Sequence, residues 1–294
     1  MSDSILSSTP FASISQASVA QNISTLEITH FLFTASVCLQ GGHVLSWQPT
    51  GHDEVFWLSK TTEFKNGKAI RGGIPICWPW FGPNIDEEGN NGGNHGFART
   101  NCWQLVSHEI TEQDVTLVIE INGENEHYLW PAKFKLLQTL VFSTTFTQQL
   151  SITNLSLETV NFSSALHSYF AVSNPENVQV PYLEGALFDD KITGKKQQED
   201  QLVNCVGPID RIYYCSDKQV IIDEGLQRKI TIEASQCQQW VLWNPGQEIA
   251  GNMQDIHPHG ENEFVCLEAA NTQWQSIGAG DSVILSQKIT LAKI

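Results

Sequence analysis

Arg71-Gly72-Gly73 opens the segment IRGGIPICWPWFGP, and Asn94-His95-Gly96-Phe97-Ala98-Arg99 follows shortly after it. A guanidinium is a planar fork of donors that grips a carboxylate or a phosphate with two parallel bonds. Two such groups beside glycines describe a pocket for an anion, with Gly72 and Gly73 leaving the backbone bare enough for a ligand to approach. A structural turn with an ordinary surface arginine would account equally well for Arg71 alone. Two more groups stand out on strand-like runs: His167 in SSALHSYFAVS and Glu268 after four apolar residues in FVCLEAAN. An unpaired buried carboxylate is costly, so Glu268 has either a salt bridge or a catalytic task. A lone histidine in such a run is more often a satisfied core residue. If the fold brings the two together, imidazole and carboxylate form an acid/base pair.

Other chemistries find less support. His257-Pro258-His259 sets two imidazoles close together, but no third ligand stands at a telling spacing, and a solvated loop is expected rather than a metal site. There is no phosphate-binding P-loop, dinucleotide glycine pattern, serine-hydrolase elbow or zinc-finger spacing, so no cofactor is expected. The 16 basic residues against 32 acidic ones give a net charge of −16. That balance disfavours nucleic acid and anionic membranes as partners. It also makes converging arginines informative. Seven cysteines, odd in number and without CxxC pairing, read as free thiols of a reducing compartment. With no basic apolar leader and no membrane-length apolar run, a cytoplasmic protein is expected.

Period-two patterning supplies the elements that must carry these groups. Val115, Leu117, Ile119 and Ile121 share one face of VTLVIEI, and Ile230 and Ile232 share one face of KITIEA. FKLLQTLVF and FTQQLSITN flank Ser143-Thr144 as a hairpin. Pro75, Pro79 and Pro83 bar both a helix and a central strand from the Pro-rich segment. No helical stripe of useful length occurs. The expected fold is all-β, a large antiparallel sandwich of fifteen or more strands. Long polar loops at 84–94, 189–201 and 244–262 join the strands, and binding residues tend to sit on such loops. Residues 23–294 read as a single domain behind a Ser/Ala-rich tail, residues 1–22, with disorder expected there.

Taken together, IRGGIPICWPWFGP, NHGFART, the histidine of SSALHSYFAVS, GPIDRIY, VLWNP and FVCLEAAN resemble the aldose 1-epimerase superfamily, and within it the hexose-6-phosphate mutarotases. The resemblance runs from about residue 43 to the last strand, with RGGIP and HGFAR the more specific blocks. It implies a galactose-mutarotase-like supersandwich that interconverts α and β anomers without a metal or cofactor. The expected partner is a small sugar phosphate, and a monomer is expected. Carried over on the matching blocks, His167 is the general acid and Glu268 the general base. Arg71 and Arg99, with Asn94 and His95 beside them, are the substrate contacts, and Asp210 meets sugar hydroxyls. This mechanism needs an ionised Glu268 beside a protonated His167, which ordinary pKa values of roughly 4.3 and 6.5 allow near neutral pH. A mutarotase for unphosphorylated aldoses, a glycoside hydrolase using Glu268 and Asp210, and a non-catalytic phosphosugar-binding regulator are the alternatives.

Overall fold

The computed structural model describes residues 4–215 and 218–294. Its first five strands, β1 (Ser4–Ser8), β2 (Ala12–Ala20), β3 (Ile23–His30), β4 (Phe33–Cys38) and β5 (His43–Pro49), form one sheet in chain order. The segment expected to be a tail is therefore paired from Ser4 onward. The reason is a weak alternation hidden among serines: Ala12 and Ile14 turn into the main core, while the intervening serines face outward.

Two further sheets build the sandwich. In chain order the strands are β6 (Ile76–Cys77), β7 (Pro83–Ile85), β8 (Asn91–Asn94), β9 (Gln104–Ile110), β10 (Val115–Gly123), β11 (Phe134–Phe142) and β12 (Phe146–Asn154). They continue as β13 (Val160–Leu166), β14 (Tyr169–Ala171), β15 (Val178–Gln179), β16 (Phe188–Asp190), β17 (Ile209–Tyr213) and β18 (Gln219–Asp223). The chain ends with β19 (Arg228–Ser235), β20 (Gln239–Asn244), β21 (Phe264–Ile277) and β22 (Ser282–Lys293). One sheet runs β15-β18-β19-β22-β12-β11-β10-β9, and the other β16-β17-β20-β21-β13-β6, with β14 also paired to β21. β7 and β8 form a separate ribbon. The strand pairs are antiparallel, and the hairpin expected around Ser143 joins β11 to β12 with Phe142 opposite Phe146.

Burial separates the two large sheets. β10, β11 and β12 alternate strictly between buried and half-exposed residues, so they present one face to the core and one to solvent. β13, β20 and β21 are instead buried on both faces over most of their length. Leu166, Trp240, Leu242, Leu267 and Ala269 fill the interior between the sheets. Cys77, Ala165, Val241 and Ala270 cluster on the opposite face. That second face is the floor of the functional site. The Pro-rich segment contributes the two-residue edge strand β6 and only the first residue, Pro83, of β7, which suits a chain that cannot donate regularly to a ladder. Among the described residues, no helix is long and apolar enough to cross a membrane.

Candidate active site

Strand register explains how residues a hundred positions apart meet. Ala165 pairs with Ala270 on β21, and Tyr169 pairs with Cys266. The position midway between them, His167, therefore stands opposite Glu268. Between β13 and β14 the chain kinks at this point: Ser168 N–H bonds the Leu166 carbonyl (2.9 Å) and His167 N–H bonds Pro75 O (3.0 Å). On the next strand Val241 faces Glu268 and Trp243 faces Cys266. Beyond it, Asp210 of β17 faces Trp243. Period-two geometry thus puts His167, Glu268, Trp243 and Asp210 on one face of the sheet.

Over this face lies a cavity of about 620 Å³ whose walls include Arg71, Asn94, His95, Arg99, His167, Asp210 and Glu268. All seven residues singled out in the sequence share it. A larger cleft of about 1040 Å³ opens elsewhere, around Leu129, Leu157 and Trp274, but it contains no imidazole or guanidinium. His167 Nε2 is 3.3 Å from Glu268 Oε1, and both side chains are almost wholly buried. Burial, followed by the neighbouring His95, Arg99 and Arg71, pushes His167 well below the usual imidazole range. Burial and the nearby Asp210 push Glu268 well above the usual carboxylate range. Desolvation thus works against the expected imidazolium–carboxylate pair and toward a neutral imidazole beside a protonated carboxyl, because it penalises each charged form. The proton count is unchanged; only the proton's seat differs. His167 Nδ1, Glu268 Oε2 and Arg99 Nε are buried without partners, and such atoms are uncommon in finished interiors.

The arginines are held differently from one another. Arg71 donates from Nε to Asp255 (3.0 Å) and from one terminal nitrogen to Tyr169 Oη (2.8 Å). Arg99 donates to the carbonyl of Asn94 (2.9 Å). The glycines play another part than the one expected. A Cβ on Gly72 would sit 2.3 Å from Trp57 O, and one on Gly73 2.1 Å from Val44 O, both with positive φ. They admit the protein's own backbone, which lets the Arg71 turn press against β5 and its neighbours. His95 has φ +65, a region rarely occupied without glycine. Its Nδ1 accepts from Gly82 N–H at 3.2 Å, which leaves the proton on Nε2. Burial and the adjacent Arg99 and Arg71 drive its pKa down to about 3, so this ring is a neutral donor.

Several lining residues went unnoticed in the sequence. Lys191, Lys196, Asp189, Tyr214, Trp243 and Met253 all border the cavity. Lys196 Nζ and Tyr214 Oη each bond Asp189 Oδ2 at 2.7 Å. The signal available was DDKITGKK, a lysine cluster in an acidic chain. Asn94 sits at the base of the β7–β8 ribbon, opposite Pro83, so the 84–94 loop stands at the cavity's rim. His257 is not solvated: its Nδ1 accepts from Lys60 N–H (3.2 Å) and its Nε2 meets Glu263 (3.0 Å), which makes it a loop anchor. Trp78 and Trp80 are core residues with almost no exposure.

The sequence profile of the aldose 1-epimerase family matches residues 24–283 of this β-sandwich. The chain belongs to that family and is an isomerase of its epimerase class. Among its relatives is an Escherichia coli (strain K12) protein named "Putative glucose-6-phosphate 1-epimerase", 38% identical over 271 residues, covering 90% of each chain. A Haemophilus influenzae protein of the same name is 32% identical, covering 78% of each. The crystal structure titled a "putative mutarotase (YeaD)" from Salmonella typhimurium superposes with a TM-score of 0.87 at 35% identity, covering 97% of this chain and 95% of that one.

Proposed function

We propose that the protein interconverts the α and β anomers of a hexose 6-phosphate, glucose 6-phosphate above all, by general acid/base ring opening. The observation that carries this reading is the His167–Glu268 contact of 3.3 Å in a cavity that also holds Arg71 and Arg99. Glu268 takes the proton of the anomeric hydroxyl while His167 gives one to the ring oxygen. The C1–O5 bond breaks, its electron pair goes to O5, and the hydroxyl oxygen becomes the aldehyde carbonyl. Rotation about C1–C2 and closure on the other carbonyl face give the second anomer, with the two roles reversed. The resting pair reaches the working tautomer by moving one proton from Glu268 to His167, which leaves the net charge of the pair unchanged. Ring opening proceeds unaided in water, so the 10²–10⁴-fold or so available from a positioned acid/base pair is sufficient.

Arg99, held by the Asn94 carbonyl, and Arg71 are the phosphate contacts in this reading, and Asp210 and His95 the hydroxyl contacts. The names of the relatives support the phosphorylated substrate. Seven free cysteines fit a reducing cytoplasm, and the protein acts as a monomer in this reading. Freshly dissolved α-glucose 6-phosphate, followed by polarimetry or NMR exchange, tests the reading. Wild type should speed equilibration, and Glu268→Gln should bind the sugar phosphate without doing so. Binding by wild type with no faster exchange would instead identify a phosphosugar-binding regulator. Equal acceleration of free glucose would remove the phosphate from the argument.

A further inference from the structure

Three glutamines lie inside the sandwich, where apolar residues would be the simpler choice. Gln138 on β11, Gln148 on β12 and Gln287 on β22 are essentially unexposed, among Leu136, Leu140, Leu150 and Leu285. They form a continuous hydrogen-bonded chain. Gln287 Nε2 donates both to Ser168 Oγ (3.0 Å) and to Gln148 Oε1 (2.8 Å), and Ser168 Oγ lies within donating distance of Gln287 Oε1 (3.3 Å). Gln148 Nε2 then donates to Gln138 Oε1 (2.5 Å), and Gln138 Nε2 to Gly42 O (2.6 Å). Aligned bonds of this kind polarise one another, while an unmatched buried amide is costly. A polar chain held under that penalty calls for a reason beyond filling space.

Its two ends supply one. At one end, Ser168 immediately follows His167 and anchors the kink from the core side, and its carbonyl accepts from Leu267 N–H (3.2 Å), next to Glu268. At the other end, Gly42 lies in the turn against which both arginine segments rest. Gly41 is packed so closely that a Cβ there would be 2.7 Å from Arg99 O. His43 Nε2 bonds Gly72 O at 2.7 Å, directly beside Arg71. Burial lowers His43 to about 4, so it is a neutral donor.

We propose that the chain Ser168–Gln287–Gln148–Gln138–Gly42 is a positioning device, setting the His167 corner against the turns that carry Arg71 and Arg99, with Gln287 and Ser168 as its positioning residues. Both are silent toward substrate and act through the backbone of the kink. The kinetic arm of the test rests on the reaction proposed above; the spectroscopic arm does not.

Ser168→Ala removes one oxygen at the site end, and Gln287→Leu removes the link from the opposite sheet. Each should lower kcat for anomer exchange by about 10- to 100-fold, the cost of sub-ångström to ångström misplacement, with KM for the sugar phosphate nearly unchanged. The double variant should lose no more than the worse single one, because both cut the same link. In histidine-selective ¹H–¹⁵N spectra, the His167 ring signals, assigned by their loss in His167→Asn, should shift or broaden in both variants. Lower denaturant midpoints with wild-type kcat, or losses that multiply in the double variant, would overturn the proposal. Unmoved His167 signals would do so whatever the activity. If wild type itself accelerates no exchange, the proposed reaction fails, and the ring signals alone decide the role of the chain.

Discussion

Glu268→Gln should make the protein more stable in the same stroke that disables it. The wild-type carboxyl is buried beside a single partner, His167, with Oε2 unpaired. Burial and Asp210 raise its pKa well above the ordinary 4.5. The sign follows from proton counting. Between 4.5 and the raised folded-state value, the native protein keeps a proton that the unfolded chain has released, so wild-type stability falls with rising pH. One proton of difference corresponds to about 1.4 kcal/mol per pH unit. His167 works oppositely: its folded pKa lies below 6.5, so its effect is confined to pH below that value. Above pH 6.5 the Glu268 contribution stands alone of the pair. Glutamine keeps the shape, stays neutral in both states and can donate to the neutral imidazole. Urea unfolding of both proteins at several pH values from 6.5 upward should therefore show the stability gap widening in favour of the variant, with a slope approaching ~1.4 kcal/mol per unit until Glu268 ionises in the native state. Exchange of glucose 6-phosphate anomers should meanwhile fall by about 10²–10⁴-fold, or ~2.7–5.5 kcal/mol of barrier. Parallel stability curves would mean that Glu268 is already ionised in the native protein, and the neutral resting pair would have to be abandoned.

Arg99→Ala should lower kcat/KM on glucose 6-phosphate by about 10- to 150-fold, the equivalent of one charge-assisted bond of roughly 1.5–3 kcal/mol. The loss on free glucose should be much smaller, and an equal loss on both would show that Arg99 does not read phosphate. The pH profile of kcat/KM should be bell-shaped, with its acid limb well below pH 6.5, where neutral His167 gains a second proton for the pair; an acid limb centred at 6.5 in the free enzyme would contradict the burial argument. Gly73→Ala should destabilise by at least the roughly 1–3 kcal/mol of a left-handed alanine, more because its Cβ would meet Val44 O at 2.1 Å. A wild-type denaturation midpoint for that variant would contradict the packing described.

What the sequence made legible was local and periodic. The alternation in VTLVIEI and FKLLQTLVF identified β10 and β11, and the anomalous Glu268 in an apolar run marked the cavity face of β21. The contact between His167 and Glu268 needed the pairing of β13 and β14 with β21, which no local pattern encodes. The N-terminal strands were missed because their outward residues are serines, as common in loops as on solvent-facing strand positions. Gly72 and Gly73 were noticed for the right freedom and assigned the wrong neighbour, since a sequence cannot distinguish a backbone opened for ligand from one opened for another strand. The glutamines of the core passed unremarked because each, taken singly, reads as an outward polar residue.

A chain of net charge −16 would repel a sugar phosphate if its charge acted as a whole, yet the anion-binding reading survives that objection. At physiological ionic strength the Debye length is about 8 Å, so remote carboxylates are screened while groups around a cavity are not. Within the cavity Arg71, Arg99, Lys191 and Lys196 stand against Asp189 and Asp210, while burial favours the neutral form of Glu268. A protonated Glu268 serves substrate entry, since an ionised carboxyl would oppose the phosphate at the moment of approach; its proton passes to His167 before Glu268 acts as the base. Burial thus does the electrostatic work that composition forbids.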